Sequence, residues 1–140
     1  MKPNDTEAQP TKPAATILVV DDNPINLKLV ADLLAFEGYR VLKAVDGEEA
    51  AHRVQEDPPE LILLDVDLPG IDGLTLTKRL KGDSRTADII IVALTAFAMK
   101  GDRQRAIAAG CDAYVTKPID TRELPAQVAE LLQRREKTKT

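Results

Sequence analysis

Five short apolar segments alternate with helical patterns, and this alternation constrains the fold of the 140-residue chain more than any other feature. The segments lie at 17–20, 40–44, 61–64, 89–94 and 113–115. Several of them are continuously apolar, which is typical of parallel strands that are covered on both faces. Because a helical pattern follows each segment, the sequence predicts a doubly wound α/β domain of five βα units.

The helical segments carry apolar residues at helical spacing. In the first predicted helix we expect one apolar face, formed by Ile25, Leu29, Val30, Leu33 and Leu34. Near the C-terminus a second face is formed by Leu124, Val128, Leu131 and Leu132. Helix starts are also marked, since Asn23-Pro24 places a cap residue before a first-turn proline. Asp46 with Glu49 resembles a capping box.

Composition limits the broad class of the protein. Apolar residues make up 44% of the chain and aromatic residues only 3%, so Leu, Ile, Val and Ala must form the core. No apolar run approaches transmembrane length, and the N-terminus lacks the apolar stretch of a signal peptide. The single cysteine excludes an intramolecular disulfide. The simplest interpretation is a cytoplasmic protein that does not insert into a membrane.

Charge and periodicity divide the chain into three parts. Residues 1–15 are rich in Pro, Thr, Lys and Ala and show no periodicity, which predicts a disordered leader. We expect the folded domain to cover 16–133 and a basic tail to cover 134–140. Because the net charge is −4 despite that tail, the folded part is acidic, which argues against direct binding of nucleic acid.

Polar residues follow four of the five predicted strands. Asp21-Asp22 follow the first strand, Asp65 the third and Thr95 the fourth, and Lys117 comes shortly after the fifth. A flavodoxin-like strand order, 2-1-3-4-5, places the first and third strands side by side in the middle of the sheet. Ligands of such folds bind beyond the carboxyl ends of the strands, where the strand order reverses. We therefore expect these residues to converge on one site of a three-layer sandwich.

Three carboxylates against one lysine leave an excess of negative charge at that site. Two like charges about 4 Å apart repel by roughly 4 kcal/mol at an effective dielectric near 20. Oxygen ligands without a neighbouring His or Cys favour Mg²⁺ over zinc. A carboxylate is also able to attack phosphorus and form an acyl phosphate, while a hydroxyl and an ammonium hold the other phosphoryl oxygens.

Each of these residues also has an ordinary structural explanation. Asp21 or Asp22 is suited to cap the first helix, and Asp65 is suited to a turn. Thr95 fits a helix cap, and Lys117 fits a solvated loop. Taken singly, none of them establishes a site. The prediction of a site depends on their joint occurrence at the ends of four strands.

The ordered motifs resemble a response-regulator receiver domain of the CheY-like kind. They read VVDDN at 19–23, LLDVDLPGIDG at 63–73, ALTA at 93–96 and KP at 117–118. The resemblance runs from about Ile17 to Leu132. The stretches DDNPINLKLV at 21–30 and TAFAMKGD at 95–102 further resemble single-domain DivK-like regulators or receivers of hybrid histidine kinases.

The resemblance implies a function for the acidic residues. Asp65 would accept a phosphoryl group from a histidine kinase or a histidine phosphotransfer protein. Asp22 and the backbone carbonyl of Asp67 would join Asp65 on Mg²⁺, and Asp21 would bind the metal through water. The resemblance thus implies a signalling domain rather than a conventional enzyme, with self-phosphorylation and autodephosphorylation as its only chemistry. Its output would be contact with a downstream protein target.

A switch is also implied. Thr95 would close onto the phosphoryl group and Lys117 would pair with it, while Tyr114 matches the switch aromatic of the family. A strand residue packed in the core is the alternative explanation for Tyr114. The Lys117-Pro118 peptide bond is cis in the family, a state that an X-Pro bond adopts at modest cost.

Two protein-contact surfaces follow from the same resemblance. The start of the first helix, with Pro24 and Leu27, is the expected docking site for the phosphodonor. The face made by the fourth helix, the fifth strand and the fifth helix is the expected output surface, with Phe97, Met99 and Lys100 as candidate residues.

Two other classes of protein share parts of the pattern. An apolar strand followed by Asp65-x-Asp67 also resembles phosphatases of the haloacid dehalogenase type, in which the first Asp is the nucleophile. In that class the motif lies near the start of the domain, whereas here Asp21-Asp22 precede it and the loops are too short for a substrate cap. A flavodoxin-like binder of a phosphate-bearing cofactor needs a first loop rich in Ser, Thr or Gly, where this chain has two acids.

Overall fold

The computed structural model describes residues 15–66, 73–95 and 100–139, except for the side chains of 100, 102 and 136–139. Strands and helices alternate along these residues as the sequence predicts. The elements are β1 (Thr16–Val20), α1 (Pro24–Phe36), β2 (Arg40–Ala44), α2 (Gly47–Glu56), β3 (Leu61–Asp65), α3 (Gly73–Lys81), β4 (Ile90–Thr95), α4 (Lys100–Ala109), β5 (Ala113–Thr116) and α5 (Leu124–Lys139).

The sheet is parallel throughout, and its strand order is β2-β1-β3-β4-β5. This order confirms the flavodoxin-like prediction. The three central strands are buried along their whole length, whereas the edge strands β2 and β5 are partly exposed. The burial explains why the central strands are continuously apolar, because strands covered on both faces have no solvent side for polar residues.

Two cores lie on opposite faces of the sheet, because successive strand residues point to opposite sides. Leu18, Val20, Ile62 and Leu64 pack against α2, α3 and α4. The residues between them, Ile17, Val19, Leu61 and Leu63, pack against α1 and α5. Helices therefore cover both faces, and the predicted three-layer sandwich is confirmed. At the carboxyl end of the strands this alternation stops, and the polar residues follow.

The apolar face predicted for α1 is partly wrong. Ile25 is 77% exposed and Leu29 is 51% exposed, although both were expected in the core. The residues of α1 that are buried are Leu27, Val30, Ala31 and Leu34. Their spacing of i, i+3, i+4 and i+7 defines the buried stripe, and at 3.6 residues per turn Ile25 and Leu29 lie on the opposite side of the helix. The prediction for α5 is confirmed, since Leu124 and Val128 are buried and Leu131 and Leu132 pack beside them.

The predicted caps fix the starts of the first two helices. The Oδ1 atom of Asn23 accepts hydrogen bonds from the backbone nitrogens of Ile25 at 2.9 Å and Asn26 at 3.2 Å. Asp46 Oδ1 accepts one from the backbone N–H of Glu49 at 2.8 Å. The Glu49 carboxylate accepts one in return from Val45, the residue before the cap, at 2.7 Å. Because α1 begins directly after Asn23, the loop that leaves β1 is short and firmly held.

The ends of the chain lie differently. Residues 1–14, nearly all of the predicted leader, lie outside the described residues. Helix α5 continues to Lys139, so most of the predicted basic tail is the end of this helix. Among the described helices, none combines the length and the apolar character needed to cross a membrane.

Candidate functional site

The register of the sheet brings the acids together. Val20 of β1 pairs with Leu64 of β3, so Asp21 and Asp65 come one residue later on neighbouring strands. Asp21 is 2% exposed and Asp65 is 4% exposed, whereas Asp22 is exposed at the rim. One carboxylate oxygen from each of the three residues lies within 4.8 Å of the others. The predicted convergence of these three residues is confirmed.

A hydrogen bond holds one of the buried acids in place. The backbone N–H of Asn23 donates to Asp21 Oδ1 at 2.9 Å. The N–H of Asp21 donates to the carbonyl of Ala44 at 3.1 Å, which continues the pairing with β2. The same residue that caps α1 therefore also orients Asp21, a role that sequence analysis did not assign to Asn23. The sequence feature that indicates this role of Asn23 is the order Asp21-Asp22-Asn23 directly before Pro24.

Lys117 reaches the acids from the connection between β5 and α5. Its Nζ atom lies 3.0 Å from Asp65 Oδ2 and 3.5 Å from Asp21 Oδ2. Its backbone N–H donates to the carbonyl of Thr95 at 2.7 Å, which fixes the connection to the end of β4. The Lys117-Pro118 peptide bond is cis, as predicted. Lys117 is thus a member of the site and not a solvated loop residue.

The charge of Lys117 is maintained by its two acidic neighbours. Burial alone would lower the pKa of Lys117, but the hydrogen bond and charge of Asp65, together with Asp21, raise this pKa above its ordinary value. The ammonium is therefore charged at neutral pH. It offsets one of the three carboxylates, and the cluster keeps an excess of negative charge.

The cluster has the chemistry of a divalent-cation site. Its ligands are carboxylate oxygens, two of the three residues are buried, and the negative charge exceeds what Lys117 neutralises. Hard cations such as Mg²⁺ prefer oxygen ligands and commonly bind through one or two carboxylates. The residues present therefore fit Mg²⁺. Asp67, whose backbone carbonyl was predicted as a further ligand, lies outside the described residues.

Thr95 and Tyr114 lie on the strands beyond the acids. Thr95 ends β4 and is 2% exposed, one residue past Leu94, which pairs with Asp65. Tyr114 lies on β5 opposite Ala93 and packs, partly buried, against the core on the α2–α4 side of the sheet. Thr95 therefore lies on the strand next to Asp65, and Tyr114 lies one strand farther away. Of the predicted output residues, Phe97 and Met99 lie outside the described residues, as does the side chain of Lys100.

Within the part of the chain that the structure describes, neither His52 nor Cys111 extends the site. His52 is exposed on α2, and its Nε2 atom lies 3.3 Å from Glu56 one turn away. Cys111 is buried next to Thr77, and burial is the main cause that raises the pKa of its thiol. A thiol with a raised pKa is a poor nucleophile, so Cys111 is a packing residue.

Fold and site together define a flavodoxin-like α/β domain with an acidic cleft where the strand order reverses. The sequence model of the response regulator receiver domain matches residues 17–129. The chain is 44% identical over 104 residues to the polar-differentiation response regulator DivK of Brucella anthropi, covering 74% of this chain and 85% of that protein. The chain therefore belongs to the response regulator receiver family, the receiver domains of two-component signalling systems.

Solved structures agree with this assignment. A CheY-like receiver domain protein from Methanospirillum hungatei superposes with a TM-score of 0.83 at 29% identity, covering 89% of this chain and 98% of that one. The receiver domain of a sensor histidine kinase from Pseudomonas aeruginosa superposes with a TM-score of 0.74 at 34% identity, covering 86% and 96%. That structure has a magnesium ion coordinated in its active-site cleft.

Proposed function

We propose that this receiver accepts a phosphoryl group from a phosphohistidine onto Asp65, with Mg²⁺ held by the acidic cluster. The observation that carries the proposal is the contact of 3.0 Å between Lys117 Nζ and Asp65 Oδ2, beside Asp21. Of the two buried acids, Asp65 is the nearer to the Lys117 ammonium, which is placed to compensate the charge of a phosphoryl group on Asp65. Burial also fixes the position of Asp65. The experiment that tests the proposal is phosphorylation of the native chain and of Asp65→Asn by acetyl phosphate with Mg²⁺, followed by intact-mass analysis.

The transfer itself is a displacement at phosphorus. An Asp65 carboxylate oxygen attacks the phosphorus atom, the P–N bond to the donor imidazole breaks, and its electron pair returns to the imidazole. The Lys117 ammonium, already beside Asp65, then lies next to the new acyl phosphate. Water later attacks the phosphorus, releasing inorganic phosphate and restoring the carboxylate. Asp22 and Asp65, with Asp21 through water and the backbone carbonyl of Asp67, would hold Mg²⁺, which would supply charge compensation for the phosphoryl oxygens.

The donor is a histidine kinase or a histidine phosphotransfer protein. The chain acts either as a free regulator, as the DivK resemblance favours, or as the receiver part of a hybrid histidine kinase. In both cases the signal leaves through contact with a downstream protein target. Phosphatases of the haloacid dehalogenase type remain the contrasting class, and they differ from this chain in the order of their acidic motifs.

One of the two residues predicted for docking the phosphodonor does not lie on the surface. Leu27, predicted as a docking residue, is only 7% exposed and belongs to the core. Ile25 and Leu29 instead present their side chains to solvent, one turn apart on the helix that begins beside Asp21-Asp22. A phosphohistidine that reaches Asp65 must bring its own domain next to this end of α1. We therefore propose that Ile25 and Leu29, with the exposed Pro24, form the apolar part of the donor contact.

The double substitution Ile25→Ser and Leu29→Ser should lower kcat/KM for phosphotransfer from a histidine donor by about ten-fold or more, since a loss of 1.4 kcal/mol of contact energy is a factor of ten. The rate with acetyl phosphate, which needs no docking surface, should be unchanged. Ile107→Ser is the matched control, because Ile107 is 57% exposed on α4. Equal transfer rates for the double variant and the native protein would rule out this surface.

The switch is proposed to connect the phosphoryl group with the α4–β5–α5 face. A phosphoryl group on Asp65 would draw in the Thr95 hydroxyl, and the space vacated would admit Tyr114. Support comes from the register, since Thr95 is two residues beyond Ala93, which pairs with Tyr114. Thr95 and Tyr114 therefore lie on the same face of the sheet, where a movement of Thr95 would open space next to Tyr114.

Beryllofluoride with Mg²⁺, an imitation of the phosphoryl group, should change the amide NMR signals of β4, β5 and their flanking helices. In Thr95→Ala these changes should be much reduced, while binding of beryllofluoride near Asp65 persists. Thr121→Ala serves as the control because Thr121 is exposed in the turn before α5. Spectra of the α4–β5–α5 face that stay the same with and without beryllofluoride would refute the switch.

A further inference from the structure

The first residue of α3 lies directly against the end of β3. A Cβ atom built on Gly73 would lie 2.7 Å from the carbonyl oxygen of Asp65 and 2.7 Å from the Cα atom of Val66. Both distances are shorter than side-chain carbons are found to adopt, and both neighbours are backbone atoms that cannot rotate away. A glycine is therefore required at position 73, because the backbone of α3 and the end of β3 approach each other too closely there for a side chain.

Backbone conformation does not explain this glycine. Among the described glycines, Gly38 and Gly110 have positive φ angles of 100° and 109°, whereas the φ angle of Gly73 is not in this region. An alanine at Gly73 would thus adopt the local backbone without strain, and in a helix it would be favoured over glycine. The space next to Asp65 is the feature that excludes a side chain.

The helix on one side of this contact is held firmly. The hydroxyl of Thr77, which is completely buried, donates to the carbonyl of Gly73 at 2.8 Å. Leu76 and Leu80 fix the same helix in the core, with exposures of 1% and 7%. Because α3 cannot easily retreat, an added side chain would push on the end of β3.

The strand end on the other side carries Asp65. It is held by the N–H of Val66, which donates to the carbonyl of Leu94 at 3.1 Å, and by the N–H of Gly73, which donates to the carbonyl of Val66 at 3.3 Å. The side chain of Asp65 reaches Lys117 over 3.0 Å. A displacement of a few tenths of an ångström in this backbone therefore moves the carboxylate relative to its ammonium partner.

We propose that Gly73 is a positioning residue for phosphoryl transfer: by lacking a side chain, it lets α3 support the backbone of Asp65 at the place where the carboxylate meets Lys117. The inference rests on the proposed function of Asp65. Gly73 itself does not touch the phosphoryl group. Misplacement of reacting groups by about 1 Å costs on the order of 10²-fold in rate, so partial displacement is expected to cost about ten-fold or more.

The test compares two glycines that both lie in the first turn of a helix. Gly73→Ala should lower the rate constant of phosphorylation by acetyl phosphate, at saturating Mg²⁺ and donor, by about ten-fold or more. Gly101→Ala should keep the native rate within about two-fold, because a Cβ on Gly101 meets nothing within 4 Å. Both rates are measured by intact mass at a temperature where circular dichroism shows both variants fully folded.

Two further readouts separate positioning from a loss of stability. The ¹³C chemical shift of the Asp65 carboxyl group should change in Gly73→Ala and not in Gly101→Ala. Thr77→Val, which removes the bond to the Gly73 carbonyl, should lower the phosphorylation rate about three-fold or more, and Thr77→Ser should restore it. The Thr77 pair decides the matter if Gly73→Ala does not fold.

Each outcome bears on the inference. Native rates and a native Asp65 carboxyl shift in folded Gly73→Ala would overturn it, as would equal losses in Gly73→Ala and Gly101→Ala. Equal rates for Thr77→Val and Thr77→Ser would overturn it if Gly73→Ala is unfolded. Failure of the native chain to be phosphorylated would instead refute the proposed function, so the two failures are distinguishable.

Discussion

Replacing Lys117 with methionine is expected to lower the rate of Asp65 phosphorylation by about 10²-fold, the usual effect of removing one preorganised charged or hydrogen-bonding group from a transition state. Lys117 Nζ lies 3.0 Å from Asp65 Oδ2 and 3.5 Å from Asp21 Oδ2, and its own side chain is only 20% exposed. Methionine preserves the volume of the side chain and removes the charge. The measurement is the rate of adduct formation with acetyl phosphate and Mg²⁺.

The control for this substitution is Lys78→Met, since Lys78 is an exposed lysine in the last turn of α3. It should be phosphorylated at the native rate. Arginine at Lys117 should recover only part of the rate, because its planar guanidinium does not reproduce a compact ammonium. A Lys117→Met variant that is phosphorylated as fast as the native chain would contradict the assigned role of this residue.

Binding of Mg²⁺ should stabilise the folded protein strongly. At a free Mg²⁺ concentration of about one hundred times Kd, the free energy of unfolding should rise by about 2.7 kcal/mol. The cause is the cluster of Asp21, Asp22 and Asp65, whose ligand atoms lie within 4.8 Å of each other and which Lys117 only partly neutralises. The measurement is urea unfolding with Mg²⁺ and with a chelator.

The substitution Asp22→Asn should have opposite effects on the stability of the metal-free protein and of the protein with bound Mg²⁺. Without metal, it removes one like charge from the cluster, so the free energy of unfolding should rise slightly. With metal, it removes one ligand, so most of the stabilisation by Mg²⁺ should be lost. Asp88→Asn, at an exposed acid away from the cluster, is the control and should respond to Mg²⁺ like the native protein. An undiminished Mg²⁺ response in Asp22→Asn would exclude this cluster as the metal site.

The positions of the site residues were predictable because topology determines them. Once the apolar segments are assigned to parallel strands in the order 2-1-3-4-5, the residues after β1 and β3 must be neighbours. The pairing of Val20 with Leu64 places Asp21 beside Asp65 without any information about side chains. The predictable part of the site is therefore the part that the sheet positions.

The contacts made by helices were less predictable. The sequence of α1 offers apolar residues on two sides, and periodicity alone does not decide which side faces the sheet. The sequence predicts Leu27 at the surface and Ile25 in the core, and the structure reverses both predictions. The reversal matters for function, because it moves the expected donor contact from a buried residue to two exposed ones.

Gly73 shows a different limit of sequence analysis. It follows Asp65 by eight positions, and it ends a stretch with Pro and Gly that is typical of a turn. Its close approach to Asp65 depends on how α3 packs against the end of β3, which is a tertiary contact. No local pattern distinguishes a glycine needed for such an approach from one needed for a turn.

The central claim is that Asp65 accepts a phosphoryl group, and intact-mass analysis after incubation with acetyl phosphate and Mg²⁺ tests it most directly. The account predicts one phosphoryl adduct on the native chain, dependent on Mg²⁺, mapped to Asp65 and absent from Asp65→Asn. Rapid hydrolysis of a generic phosphomonoester by the native chain would favour the phosphatase class instead. No adduct on the native chain, or an undiminished adduct on Asp65→Asn, would contradict the account.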